Sequence, residues 1–116
     1  MSMTDHNLVH LTGRVSAPPE ARVLPSGDEV VTFRLVVRRS AAARRRSKQV
    51  VDTFECTAWR FALRRSAARL SAGTHVAVTG ELRRRFTRGS SGVMSFVTVE
   101  LDSCRTVPDP AVASGA

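Results

Sequence analysis

A chain of 116 residues is long enough for one domain with a single hydrophobic core, without metal or disulfide staples. Its apolar share of 42% is that of a folding chain, whereas 18 basic residues against 10 acidic ones leave a net charge of +8. That surplus points to a polyanionic partner, nucleic acid first, and away from a membrane: no run approaches a bilayer span, and the one expected helix lacks a bulky apolar stripe.

The opening MSMTDHN has no basic-then-apolar leader pattern, and residues 1–6 are expected to form a flexible N-terminus. LVHLTGRV, 8–15, reads as a first strand in which Leu8, His10, Thr12 and Arg14 alternate with Val9, Leu11, Gly13 and Val15. SAPPEARVLPSGDE then reads as a loop with at most a short strand around 21–24, because two prolines and a Pro-Ser-Gly punctuate it. VVTFRLVVRR, 30–39, alternates cleanly: Val31, Phe33, Leu35 and Val37 share one face, and Thr32, Arg34, Val36 and Arg38 the other. The dense charge run SAAARRRSKQ, 40–49, breaks the pattern and reads as a long, mobile hairpin tip.

A third strand covers about 50–60, with Phe54, Cys56 and Ala58 facing one way and Thr53, Glu55, Thr57 and Trp59 the other. FALRRSAARLSAG follows as the only expected helix: Leu63, Ala67 and Leu70 fall at i, i+4, i+7, and Gly73 is a plausible stop. HVAVTGELRRRF, 75–86, and VMSFVTVELDSC, 93–104, complete five strands around an RGSSG turn. The prolines and small residues of 106–116 predict a disordered tail. Five strands with one short helix between the third and fourth is the element order of an OB-fold, a mainly β, partly open barrel, expected here over 7–105.

Cys56 and Cys104 have no CxxC spacing, and His6, His10 and His75 are scattered, so no metal or other cofactor is expected. The thiols read as small buried hydrophobes of a cytoplasmic chain. Between Arg34 and Arg88 there are fifteen basic residues and three acidic ones, so the positive charge belongs to strands two to four and their connections. Arginine also recurs at strand period, at Arg34 and Arg38 and again at Arg83 and Arg85, as undirected charge would not.

Trp59 shares its parity with a polar set, which favours an exposed indole on which a base could stack. The competing reading turns it inward against the helix. Phe86 is either a second platform or, by its parity with Leu82, buried; Phe96 is core or subunit contact. The candidate binding residues are Arg34, Arg38, Arg39, Lys48, Trp59, Arg60, Arg83, Arg85 and Phe86. No nucleophile–base pairing or phosphate-cradling glycine loop is visible, and Asp52 and Glu55 share no clear face, so a binder rather than an enzyme is expected.

NLVHLTGRVSAPPEARVLPSG followed by VVTFRLVV resembles the opening of the bacterial single-stranded DNA-binding protein family, through Gly13, Pro19–Glu20, Arg22, Pro25–Ser26–Gly27 and Val31–Leu35. ECTAWR, AARLSAGTHVAVTGEL and the RGSSG hairpin continue the likeness over about 7–104. The resemblance implies an OB-fold that forms a homo-oligomer, a tetramer or dimer, and coats single-stranded DNA without sequence preference in replication, repair or recombination, at the nucleoid. It places Trp59 where the family often has a stacking aromatic, and Arg34, Arg38, Arg83 and Arg85 on DNA-facing strands.

The sequence departs from the family near Ser40–Ala41, where an aromatic is frequent, and at Thr53 or Phe54, where another is. It ends PDPAVASGA rather than in an acidic, aromatic tip, so a short tailless paralogue is expected, without recruitment of repair enzymes through that tip. A primosome-type OB adaptor and an RNA-binding OB module are the alternative readings.

Overall fold

The computed structural model describes residues 4–110, in which the alternating runs become strands of one closed sheet. Strand β1, Val9–Val15, pairs antiparallel with β5, His75–Gly89. Its last two residues also pair with β3, Glu29–Arg38, in the register Arg14↔Val36 and Val15↔Leu35. Strand β4, Val51–Ala58, runs antiparallel to β3, while β6, Gly92–Thr106, is antiparallel to β5 and parallel to β4. The circuit therefore closes through β1, β5, β6, β4 and β3, with the short β2, Glu20–Val23, added to the edge of β3. Helices α1, Ala41–Arg46, and α2, Phe61–Ala68, occupy the connections on either side of β4. This is the OB-fold expected from the element order, with α2 as its helix.

The pleat sorts residues as the alternation predicts. Val31, Phe33 and Leu35 are buried while Arg34 between them is exposed. Val15, Val76, Val78 and Val99 are fully buried against them, each apolar side chain contributing about 1.5–3 kcal/mol. Leu63 and Ala67 of α2 close one end of this core. Cys56 is fully buried and its thiol is pushed up to about 12, chiefly by that burial; Cys104 is half-buried and also raised, and both thiols are free.

Several expectations are corrected. The 40–49 run is not a plain hairpin tip: Ser40 accepts a hydrogen bond from the Ala43 amide at 3.2 Å and caps α1, so α2 is not the only helix. Three alanines after a serine cap were the local signal, masked by the arginines that follow. Helix α2 ends at Ala68, before the expected glycine stop, because the Arg69 and Leu70 amides turn back to Ser66 and Ala67. The expected loop after β1 does contain a strand, the exposed β2.

Strand β6 runs on through Thr106, and the Val107 amide donates to the His75 carbonyl at 2.9 Å, so paired backbone reaches two residues past the domain end expected at 105. At the other end, Asn7 donates to and accepts from the Leu82 backbone, both at 2.8 Å. The rest of those terminal expectations, on 1–3 and 111–116, lies outside the described residues. Among the described residues no helix is long and apolar enough to cross a membrane.

Two glycines permit close strand approach. A Cβ on Gly13 would overlap the Val36 carbonyl where the barrel closes, and one on Gly80, beside the register shift at Thr79/Gly80, would overlap the Glu100 carbonyl. Backbone cannot yield as a side-chain tip can. Gly13→Ala is expected to destabilise the fold by about 1–3 kcal/mol in urea unfolding, as overpacking does; an unchanged midpoint would mean that β1 and β3 are not so tightly apposed.

Candidate nucleic-acid interface

The side of the sheet facing away from the core carries a row that crosses four strands. Arg34 on β3 is paired in register with Glu55 on β4, Glu55 with Thr98 on β6, and Thr98 with Arg83 on β5. Beside this row, Trp59, Phe96, Arg85, Arg22, Glu55, Thr57 and Thr98 line an open cleft of about 210 Å³. The indole is half-buried and lies outside the core cluster, so its parity with Thr57 and Glu55 holds to the end of the strand. Its Nε1 and the Thr98 Oγ1 are buried without a hydrogen-bond partner among the described residues. Phe96 is 41% exposed beside it and so is not core. A second cleft of about 330 Å³ adjoins along β3, with Arg22, Arg34, Glu20 and Glu55 on its walls.

The nine sequence-predicted residues separate according to what already holds them. Trp59, Arg34 and Arg85 meet around these two clefts, and no carboxylate lies within 4.0 Å of either guanidinium among the described residues. Arg38 shares their face farther along β3. Arg83 also lies on this side but is held by Glu81 at 2.8 Å and Glu100 at 3.2 Å. Such exposed pairs contribute only about 0–1 kcal/mol, so they can exchange for another anion.

Arg39 points elsewhere, clamped by Asp52 through two hydrogen bonds of 2.9 and 2.8 Å. Arg60 donates to the Asp102 carbonyl, and Lys48 is exposed in the connection after α1. Phe86 is 66% exposed, not buried, but its register partner is Ser95, which puts it on the reverse of the ribbon from Arg85 and Phe96. On α2, Arg64 pairs with Glu29 at 2.8 Å, and Arg64 and Arg65 both lie over the exposed Phe61 ring.

Arg22 and Phe96 were missed. Gly89↔Gly92 leaves a two-residue turn, and counting back from it puts Phe96 opposite Arg85, so the RGSSG motif held the signal for Phe96. Arg22 depended on β2, which its prolines and turn residues disguised.

A surface of this kind offers flat rings beside cations that are free of internal partners. It can hold a planar heterocycle and the anion attached to it. The profile of the Single-strand binding protein family matches residues 6–103. The chain belongs to that family.

Over 92 residues the chain is 35% identical to a single-stranded DNA-binding protein of Bacillus cereus, covering 79% of this chain and 54% of that protein. It is 34% identical, with 79% and 53% covered, to single-stranded DNA-binding protein A of Bacillus subtilis. For single-stranded DNA-binding protein 2 of Listeria innocua the identity is 33%, with 79% and 57% covered. This family member thus spans about half the length of those relatives. Among solved structures, a Plasmodium falciparum SSB in complex with ssDNA superposes with a TM-score of 0.74, covering 92% of this chain and 97% of that one. At 23% identity the superposition speaks for the OB-fold.

The Arg39 clamp holds the Asp52 carboxyl below the usual carboxylate range through its hydrogen bonds and, to a lesser degree, its charge. A lowered folded-state value means that the pair's contribution is complete above the unfolded value, near 4, and lost as pH falls through the lower one. Wild type should therefore melt above Asp52→Asn by a margin that is constant from about pH 7 to 5 and shrinks below about pH 4. A margin that persists at about pH 2 would place its source outside the carboxylate charge.

Proposed function

We propose that this chain binds single-stranded DNA without sequence preference and without catalysis, coating and protecting it during replication, repair or recombination. Unpaired arginines gathered around an aromatic cleft carry this reading. Trp59 and Phe96 offer ring faces, and every base has a complementary π-face, so stacking is worth about 1–3 kcal/mol per base whatever its identity. Arg34, Arg85 and Arg22 take phosphates, Arg38 extends the contact along β3, and Arg83 joins by trading its carboxylates for phosphate. Arg39 and Arg60 act at the margins, and Lys48 and Phe86 meet DNA that leaves the central face. The relatives' own names support the substrate, and the family supports a cytoplasmic homo-oligomer at the nucleoid.

The test is a titration with oligo(dT) at several salt concentrations, read by Trp59 fluorescence in wild type and the arginine variants and by the anisotropy of dye-labelled oligo(dT) in Trp59→Ala, which removes the only tryptophan. Trp59→Ala should weaken binding by about 1–3 kcal/mol, with the melting curve as a control for folding. Arg34→Ala and Arg85→Ala should each flatten the salt slope by about 0.7. Arg83→Ala should flatten it less, because Glu81 and Glu100 already neutralise that side chain. Retention of full affinity and slope in Trp59→Ala and Arg85→Ala would put the DNA on another face.

A further inference from the structure

A third cleft of about 380 Å³ lies farther along the same side of β3, and of its lining residues the sequence singled out only Arg38 for binding. Thr12 and Arg14 of β1, Val36 and Arg38 of β3, and His75 of β5 line it. Barrel closure creates it: Arg14 stands in register with Val36 on one neighbour and with His75 on the other. The alternation of β3 carries Thr32, Arg34, Val36 and Arg38 along one side, so this cleft continues the line that starts at Trp59 and passes Arg34.

Its charge is mainly positive: two arginines face one carboxylate, that of Asp109, which lies beside His75. Among the described residues no carboxylate lies within 4.0 Å of Arg14 or Arg38, in contrast to Arg39, Arg64 and Arg83. Two guanidinium groups lining one concavity repel each other, and a shared anion relieves that repulsion. The His75 Nδ1 is buried without a hydrogen-bond partner among the described residues. Asp109, the one acidic residue on the cleft wall, approaches it only to 3.7 Å, beyond hydrogen-bond reach.

We propose that this cleft is a phosphodiester subsite, in which Arg14 and Arg38 grip a phosphate of a strand leaving the Trp59 face and His75 lines its floor. The proposal rests on the reading of the chain as a single-stranded DNA binder and extends it to Arg14, Thr12 and His75. Arg14 is exposed and its guanidinium takes part in no ion pair of the described fold, so its replacement leaves the barrel intact.

The test follows the ring nitrogens of His75 by NMR in wild type during titration with oligo(dT), with Trp59 fluorescence read in the same samples. His75 signals should move in step with the Trp59 response. Arg14→Gln should keep the amplitude of the Trp59 response while binding several-fold more weakly, with a salt slope flatter by about 0.7. If Trp59 responds while the His75 signals stay still and Arg14→Gln keeps the wild-type slope, the subsite is refuted and the DNA-binding reading stands. If neither residue responds, the DNA-binding reading fails and the subsite with it.

Discussion

Two backbone pairings, Arg14↔Val36 and Val15↔Leu35, decide whether this sheet is an open ribbon or a barrel. They demand that β1 and β3 approach until the Val36 carbonyl fills the space a Cβ on residue 13 would need, which is why glycine stands there. Closure in turn gives every strand an inside and an outside. The inside takes Val15, Val31, Phe33, Leu35 and Val99; the outside collects whatever the alternate positions carry. Arginine and threonine on β3 and β4, with the tryptophan just after β4, become a surface only because the apolar residues between them have somewhere to go.

On that surface the formal charge of +8 is a poor guide to what a ligand would meet. Arg39, Arg64 and Arg83 are each matched with carboxylates of their own chain, whereas Arg14, Arg34, Arg38 and Arg85 are not, among the described residues. The unmatched ones lie outside the barrel and line the clefts on the Trp59 side, from Phe96 on β6 to the junction of β1 and β3. A polyanion approaching that face would find that subset unpaired, whereas the paired ones would have to exchange one anion for another.

Most of the fold was legible because it rests on period-two alternation, a property of a strand alone. The site was legible only in part. Arg34 and Trp59 could be put on one face from their own strands, but Arg39 and Arg83 looked equally free, since nothing local reveals that Asp52 or Glu100 will come to lie beside them. Phe86 and Phe96 were confused for a related reason. Each needs the register of a partner strand, and one turn residue more or less would swap their faces. The helix in the charge run was hidden because its arginines drew more notice than its serine cap.

By itself, then, the sequence determined the strands, the helix that closes the barrel, the cationic middle of the chain and the face on which Trp59 stands, all of which are local in spacing and composition. Only the tertiary structure decided which arginines keep their charge available, that Phe96 rather than Phe86 adjoins Trp59, and that Arg14 and Arg38 line one cleft at the barrel seam. Those facts are relations between strands, and the geometry of closure and pairing sets them, whereas composition does not.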